Sequence, residues 1–220
     1  MSFLNYYKKE IEKAGGYEKY VNIKAKEKKL LLDRVIKYSQ ATGRILEAGC
    51  GSGANSIFLA NRGLDVTCID IDDKILKFAS DSSKLFAVQP KFKKRNLLKL
   101  DYPKGYFDVV FSHGVLEHFS DKDIIKIVNK ELSVSKYVII SVPSDFFKVK
   151  DAIRGDERFL PRKYWKELLA KVRGTTIDGF GYFYHSNSFV LKLMEARHKV
   201  GFGIIFRKTP YMGFVIRSID

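Results

Sequence analysis

The sequence predicts an α/β fold: a central, mostly parallel sheet with helices on both faces. Three observations carry this. Short β-branched or apolar segments alternate with helical periodicities from residue 25 to residue 142. Two of those segments, 106–112 and 136–142, are nearly unbroken apolar runs, as strands covered on both faces require. Three glycines at alternate positions, Gly49, Gly51 and Gly53, sit between a strand pattern and a helix pattern, where a backbone must turn sharply or approach a ligand closely.

The elements follow in order. Residues 25–39 read as a helix with Leu30, Leu31, Val35 and Ile36 on one side, broken by Thr42-Gly43. Residues 44–48 form a strand, and the glycine loop leads into a helix over 54–62 carrying Ile57, Phe58 and Leu59. A β-branched strand at 65–70 precedes a helix at 73–80, and the basic stretch 91–95 ends a third strand. After the fourth strand, 106–112, Ser120 and Asp123 make a capping box for a helix to about residue 129. The fifth strand, 136–142, stops at Pro143. No period is clear between 145 and 160. Pro161 then suits the first residue of a helix running to about 172. Residues 175–184 read as a strand, Ser186 caps a helix through about 198, and 212–217 make a final strand.

Composition bounds the function. With 220 residues, 45 % apolar, the chain suits one domain with a full core. Seventeen Phe and twelve Tyr exclude disorder, and two cysteines, Cys50 and Cys68, exclude a disulfide scaffold. No apolar run reaches the ~18 residues of a membrane span, and the N-terminus lacks the apolar stretch of a signal peptide. The cytoplasm is the expected location. The net charge of +15 admits nucleic acid or an anionic substrate as partner, but a lysine-rich surface accounts for it equally well, since lysines number 29 against 11 arginines.

The glycine loop is the strongest local signal. It reads Glu47-Ala-Gly49-Cys-Gly51-Ser-Gly53, and Asp70 ends the next strand 21 residues after Gly49, where an acid typically binds two ribose hydroxyls. Gly49, Gly51 and Ala54 also fit the dinucleotide form G-x-G-x-x-A. Two details disfavour a pyrophosphate. Gly53 tightens the spacing, and Glu47 would repel each nearby phosphate charge by ~1 kcal/mol or more. Beside an ammonium, Glu47 attracts. S-adenosylmethionine is a nucleoside with that chemistry, and NAD remains a distant alternative.

Four segments together resemble the class I S-adenosylmethionine-dependent methyltransferases, in particular their ubiquinone/menaquinone-biosynthesis-like type 11 group. They are ILEAGCGSG at 45–53, CIDID at 68–72, FDVVFSHGVLEHF at 107–119 and VIISVP at 138–143. The resemblance spans 44–143 and implies a Rossmann-like sheet of seven strands, the last antiparallel. It also implies a single domain, with a helical cap over 1–40, a cofactor-binding core over 41–143, and a substrate-facing insert and C-terminal strands over 144–220. By position, the backbone of Gly49 and Gly51 would wrap the methionine part of the cofactor, with Glu47 behind that loop, and Cys50 and Gly53 would belong to the same cofactor site. Asp70 would hold the ribose and Ile71 would pack on adenine. Asn96, where the family usually has Asp, would meet the adenine amino group, with Leu97 supplying backbone. Ser112 and His113 would lie beside the methionine and the transferable methyl. After transfer the cofactor leaves as S-adenosylhomocysteine.

An oxygen acceptor calls for a base, for which His113, His118 and His185 are the candidates. No metal site is expected, because four histidines and two strand cysteines make no convincing zinc set. Residues 41–143 hold fifteen basic and twelve acidic residues, so the excess charge lies in the cap and insert, interleaved with aromatics such as Tyr6, Tyr7, Tyr20 and Tyr182. The preferred reading is therefore a methyltransferase acting on an oxygen or nitrogen atom of a small-molecule acceptor, aromatic, sugar or anionic, with an anionic one the sharper expectation. An RNA substrate, stacked and neutralised by that cap, is the alternative.

Overall fold

The computed structural model describes residues 2–147, 153–182 and 209–219. Its strands are β1 (Arg44–Ala48), β2 (Asp65–Asp70), β3 (Lys91–Lys94), β4 (Phe107–His113), β5 (Ser135–Pro143), β6 (Gly174–Tyr182) and β7 (Tyr211–Ser218). They form one sheet in the order β3-β2-β1-β4-β5-β7-β6, with β7 antiparallel to both of its neighbours and the other pairings parallel. The helices are α1 (Phe3–Ala14), α2 (Tyr17–Glu27), α3 (Lys29–Tyr38), α4 (Ala54–Ala60), α5 (Asp73–Ser83), α6 (Asp121–Val134) and α7 (Arg162–Leu169).

Alternation along the central strands splits the core in two. Leu46, Val110, Ile140, Phe214 and Ile216 face α6 and α7, where Trp165 and Ile127 are fully buried. Ile45, Val109, Phe111, Ile139 and Val215 face the other way, onto Leu31, Leu32 and Val35 of α3 and Leu59 of α4. With both faces covered, the strands need the near-continuous apolar runs seen in the sequence. The glycine loop and the chain after β4 emerge together at the carboxyl edge of the parallel strands, the usual place for a ligand in such a sheet.

Three elements differ from the sequence reading. The helix expected over 25–39 is two helices, α2 and α3, meeting at Lys28 with φ −104° and ψ 20°. Tyr17, Tyr20 and Val21 of α2 pack on Ala54 and Ile57 of α4, whereas α3 packs on the sheet. A straight helix could not serve both surfaces. The sequence reading had no α1. It is fixed by the Ser2 hydroxyl, which accepts from the Asn5 N–H at 3.3 Å, and by Gly15 in the left-handed region with φ 78°. Pro161 precedes α7 as its cap rather than opening it, so the helix starts at Arg162 and ends at Leu169. The Ser120 cap is as read, its hydroxyl accepting from the Asp123 N–H at 3.2 Å. The helix expected over 186–198 lies outside the described residues.

Glu131 is an anomaly in this core. It is fully buried on α6, and neither carboxyl oxygen has a partner among the described residues. Burial pushes its pKa up to about 8, from 4.5. A raised acid favours the fold fully below pH 4.5 and loses that contribution as pH climbs to about 8. Glu131→Gln is therefore expected to raise the melting temperature at pH 8 and to bring much less gain at pH 5. Thermal melts at both pH values check this, and an equal shift at both would contradict it.

Candidate active site

The loop after β1 hangs from one carbonyl. The N–H groups of Gly49 and Cys50 both donate to Ile69 C=O, at 2.9 and 3.0 Å. This tight wrap puts Gly49 at φ 72° and Gly51 at φ 54°, in the left-handed region. Space demands glycine too: a Cβ at Gly49 would come within 2.6 Å of Val115 Cγ2, and one at Gly51 would collide with the Tyr7 hydroxyl. Asp70 completes the turn. Its Oδ2 accepts from Gly51 N–H at 3.2 Å and its Oδ1 from Asp72 N–H at 3.1 Å, while burial raises its pKa.

Two cavities flank this loop. The larger, about 350 Å³, is walled by Asp70, Ile71, Asn96 and Leu97, and by Gly49 and Gly51. Ile71 is 63 % exposed, leaving an apolar face open to the cavity. Asn96 caps the short 3-10 turn Leu97–Lys99, its Oδ1 accepting from Leu98 N–H at 2.9 Å. The smaller cavity, about 150 Å³, is walled by Glu47, Cys50, Lys28, His113, Glu117 and Tyr211. Phe3 and Tyr7 of α1 wall both cavities.

Glu47 is buried and bound at both oxygens. Asn55 Nδ2 donates at 2.7 Å and the Ser56 hydroxyl donates to the other oxygen. Lys28 Nζ donates to Asn55 Oδ1 at 3.3 Å. Burial raises the Glu47 pKa, while burial and neighbouring Lys24 lower that of Lys28 to about 8. Thus Glu47 reaches its cation through an amide, and the loop lies in front of it.

His113 lies in the wall of both cavities. Its Nδ1 is 3.1 Å from both the Ser141 and Tyr182 hydroxyls, which are 2.6 Å apart. Burial, then the positive charges of Lys28 and Lys24, hold its pKa well below 6.5, so the imidazole is neutral. His118 also reaches both cavities, and its Nδ1 is 2.7 Å from Asp156 Oδ1. Glu157 stands beside this pair, but its carboxylate accepts the N–H groups of Ile153, Arg154 and Gly155 at 2.9, 2.9 and 2.8 Å. These bonds make the trio a loop closure.

Two expected residues sit elsewhere. Ser112 lines neither cavity. It is buried, and being one residue from His113 it points to the opposite face of β4. Gly53, at φ 77°, caps α4, where a Cβ would meet Ala79 at 3.1 Å, and it too is absent from both walls. His185 lies outside the described residues. The sequence reading overlooked Glu117, whose carboxyl is 3 % exposed in the wall of the smaller cavity. Its signal was a carboxylate interrupting an apolar run, Val115-Leu116-Glu117, just past a buried strand.

Comparison with known proteins points to methyltransferases. Residues 45–136 match the family model described as a methyltransferase domain. The chain is 32 % identical over 124 residues to 2-methyl-6-phytyl-1,4-hydroquinone methyltransferase of Synechocystis, covering 56 % of this chain and 36 % of that protein. It is 30 % identical over 80 residues to phosphoethanolamine N-methyltransferase 3 of Arabidopsis thaliana, covering 36 % and 16 %. The chain thus spans well under half the length of these curated relatives. Among solved structures, a SAM-dependent methyltransferase from Archaeoglobus fulgidus superposes with TM-score 0.65 at 16 % identity, over 97 % of this chain and 100 % of that one. Magnesium protoporphyrin IX methyltransferase from Synechocystis, solved with bound SAH, superposes with TM-score 0.59 at 17 % identity over 86 % and 82 %. The fold is that of the class I S-adenosylmethionine-dependent methyltransferases. Residues 45–136 match the methyltransferase-domain model, and the fold is the one those solved methyltransferases share.

The state of His113 is open to direct test. At pH 6.5 an ordinary imidazole is half protonated, whereas His113 is expected to remain neutral there and well below. Nitrogen-15 NMR of the histidine ring reads this directly, and a midpoint near 6.5 would contradict it.

Proposed function

We propose that the chain is an S-adenosylmethionine-dependent methyltransferase acting on an oxygen or nitrogen atom of a small acceptor. The observation that carries the reading is the cradle in which Ile69 C=O and the Asp70 carboxylate fix the Gly49–Gly51 backbone beside an open cavity. Asp70 has spare acceptor capacity for two ribose hydroxyls. Ile71 offers a flat apolar contact for adenine, and Asn96 offers polar atoms at its edge. Gly49 and Gly51 would run along the methionine part, with the Glu47 network behind them.

When bound, the sulfonium supplies a methyl carbon that the acceptor's lone pair attacks as the carbon–sulfur bond breaks, its electron pair staying on sulfur. The protein's own task is then alignment and proton management. The Ser141 and Tyr182 hydroxyls fix the His113 ring, and its low pKa keeps it neutral and so able to accept a hydrogen bond from the acceptor. His118, tied to Asp156, stands at the same opening. Phe3 and Tyr7 of α1 cover both cavities and exclude water from the reacting atoms.

The recessed site favours a small molecule over a polynucleotide. Lys24 and Lys28 both reach the smaller cavity, which supports an acceptor with an anionic group. Among the described residues no helix is long and apolar enough to cross a membrane. The free, buried Cys50 and Cys68 fit a reducing compartment such as the cytoplasm.

Asp70→Ala removes both the ribose acceptor and the brace on Gly51. Calorimetry is expected to show cofactor affinity falling about 100-fold, some 2–3 kcal/mol, in line with losing hydrogen bonds to a charged group. An unchanged affinity would refute the ribose assignment.

A further inference from the structure

With the nucleoside in the larger cavity and the acceptor in the smaller, the methyl group has to pass where the two meet. Three polar side chains wall both cavities at that throat: Tyr7, His113 and His118. The two histidines are held. His113 Nδ1 lies 3.1 Å from the Ser141 and Tyr182 hydroxyls, and His118 Nδ1 lies 2.7 Å from Asp156 Oδ1. The Tyr7 hydroxyl has no hydrogen-bond partner among the described residues and, unlike that of Tyr102, it is not sealed from open space. The other tyrosines beside the loop have used theirs. Tyr17 donates to the Ser52 carbonyl at 2.5 Å, and Tyr20 accepts from the Ser52 hydroxyl at 3.4 Å. The Tyr7 hydroxyl instead lies against Gly51, in the space that a Cβ there would fill. The Phe3 ring is stacked beside it, with centroids 6.2 Å and planes 16° apart. Burial raises the Tyr7 pKa well above its ordinary value, so the hydroxyl stays neutral and keeps its lone pairs for a donor.

We propose that Tyr7 recognises the positive charge at the reacting end of the cofactor, its hydroxyl oxygen accepting from the methyl group carried on the sulfonium. This rests on the methyltransferase reading and adds to it the residue that holds the methyl at the throat. A cationic sulfur draws electron density from its methyl, whose C–H bonds then act as weak donors to an oxygen lone pair. The electron-rich ring faces of Tyr7 and Phe3 favour the same charge. Tyr7 is therefore a positioning contact before transfer. Once the methyl has left, the sulfur is neutral, and the hydroxyl has lost both its donor and the charge beside it. The contact thus favours the substrate form over S-adenosylhomocysteine and eases exchange of the spent nucleoside. A phenylalanine at this position would cover the cavities equally well and accept nothing. The hydroxyl is also dispensable to the fold, since α1 buries none of its residues and the Tyr7 oxygen bonds to no other element among the described residues.

The test uses the full chain and two nucleosides that differ in charge at this point. Sinefungin carries a carbon-bound ammonium in place of the sulfonium methyl, whereas S-adenosylhomocysteine is neutral there. Calorimetry with the unaltered chain is expected to show sinefungin binding about tenfold more tightly, as a hydrogen bond to a charged group would give. Tyr7→Phe keeps the ring and removes the oxygen. It should erase most of that preference while leaving the affinity for S-adenosylhomocysteine within about threefold of its original value. Tyr7→Leu, which removes the ring as well, should also erase the preference, and it decides the question if Tyr7→Phe does not fold. Melting curves report the folding of both variants. A preference that the substitutions leave unaltered would overturn the proposal. So would an equal weakening of both nucleosides, which is what a merely structural role would give, or sinefungin binding no more tightly than S-adenosylhomocysteine to the unaltered chain. Failure of both nucleosides to bind the unaltered chain would instead overturn the cofactor reading on which the role of Tyr7 rests.

Discussion

The carbonyl of Ile69 is the constraint on which the site depends. β1 and β2 run in parallel register, with Ala48 opposite Ile69 at the end of the ladder. Had β1 continued, its backbone would have gone on pairing along β2. Instead the chain folds back, and the carbonyl takes two N–H groups, those of Gly49 and Cys50. Each such bond is worth about 1 kcal/mol net, but leaving either N–H buried and unpaired would cost more. Only left-handed residues can follow so tight a path, which is why glycines stand at 49 and 51. The same path brings Gly51 N–H over Asp70, so the ligand cradle is the sheet's own hydrogen bonding carried one turn beyond its edge.

The second constraint is a buried charge network joining three elements. Glu47 comes from β1, Asn55 and Ser56 from α4, and Lys28 from the junction of α2 and α3. Removing one member of such a set typically costs about 3–5 kcal/mol, because the others are left charged or unpaired in a low dielectric. This gives the helix break a purpose. At the break the Lys28 head lies over Asn55, 3.3 Å from its Oδ1. The break also lets α2 close on the loop, where the Tyr17 hydroxyl donates to the Ser52 carbonyl at 2.5 Å.

What was legible in the sequence is what local chemistry decides. The glycine loop, the acid ending β2, the apolar runs of β4 and β5 and the Ser120 cap each follow from a few adjacent residues, and each stands where the sequence placed it. What was illegible depends on distant partners. Nothing within α1 says that Tyr7 will cover Gly51, since that contact spans forty-odd residues of chain. Nothing near Asp108 announces that its carboxylate will accept from Thr42 and Gly43 N–H at 2.7 and 2.8 Å and so pin the entry to β1. Ser112 is a different kind of miss, because the information was present. Phe111 and His113 must share one face of a strand, and Ser112 must take the other, so Ser112 and His113 could not both line one cavity.

The net charge illustrates how total and placement differ. Forty basic residues describe the solubility of the chain and little else. Some sit in exposed pairs one helical turn apart, such as Lys77 with Asp81 at 2.9 Å and Lys84 with Asp81 at 2.7 Å, which are screened by water and add little to stability. Lys28 differs from them only in where the backbone sends it. Turned inward, it loses hydration, shifts its pKa toward neutrality and acts on Glu47 and His113 together, favouring the charged form of the first and the neutral form of the second. One recessed cation thereby acts on both Glu47 and His113, although burial of each group is the larger influence on its charge state. The electrostatics of the site follow from this burial, and the surplus on the surface contributes only a diffuse field.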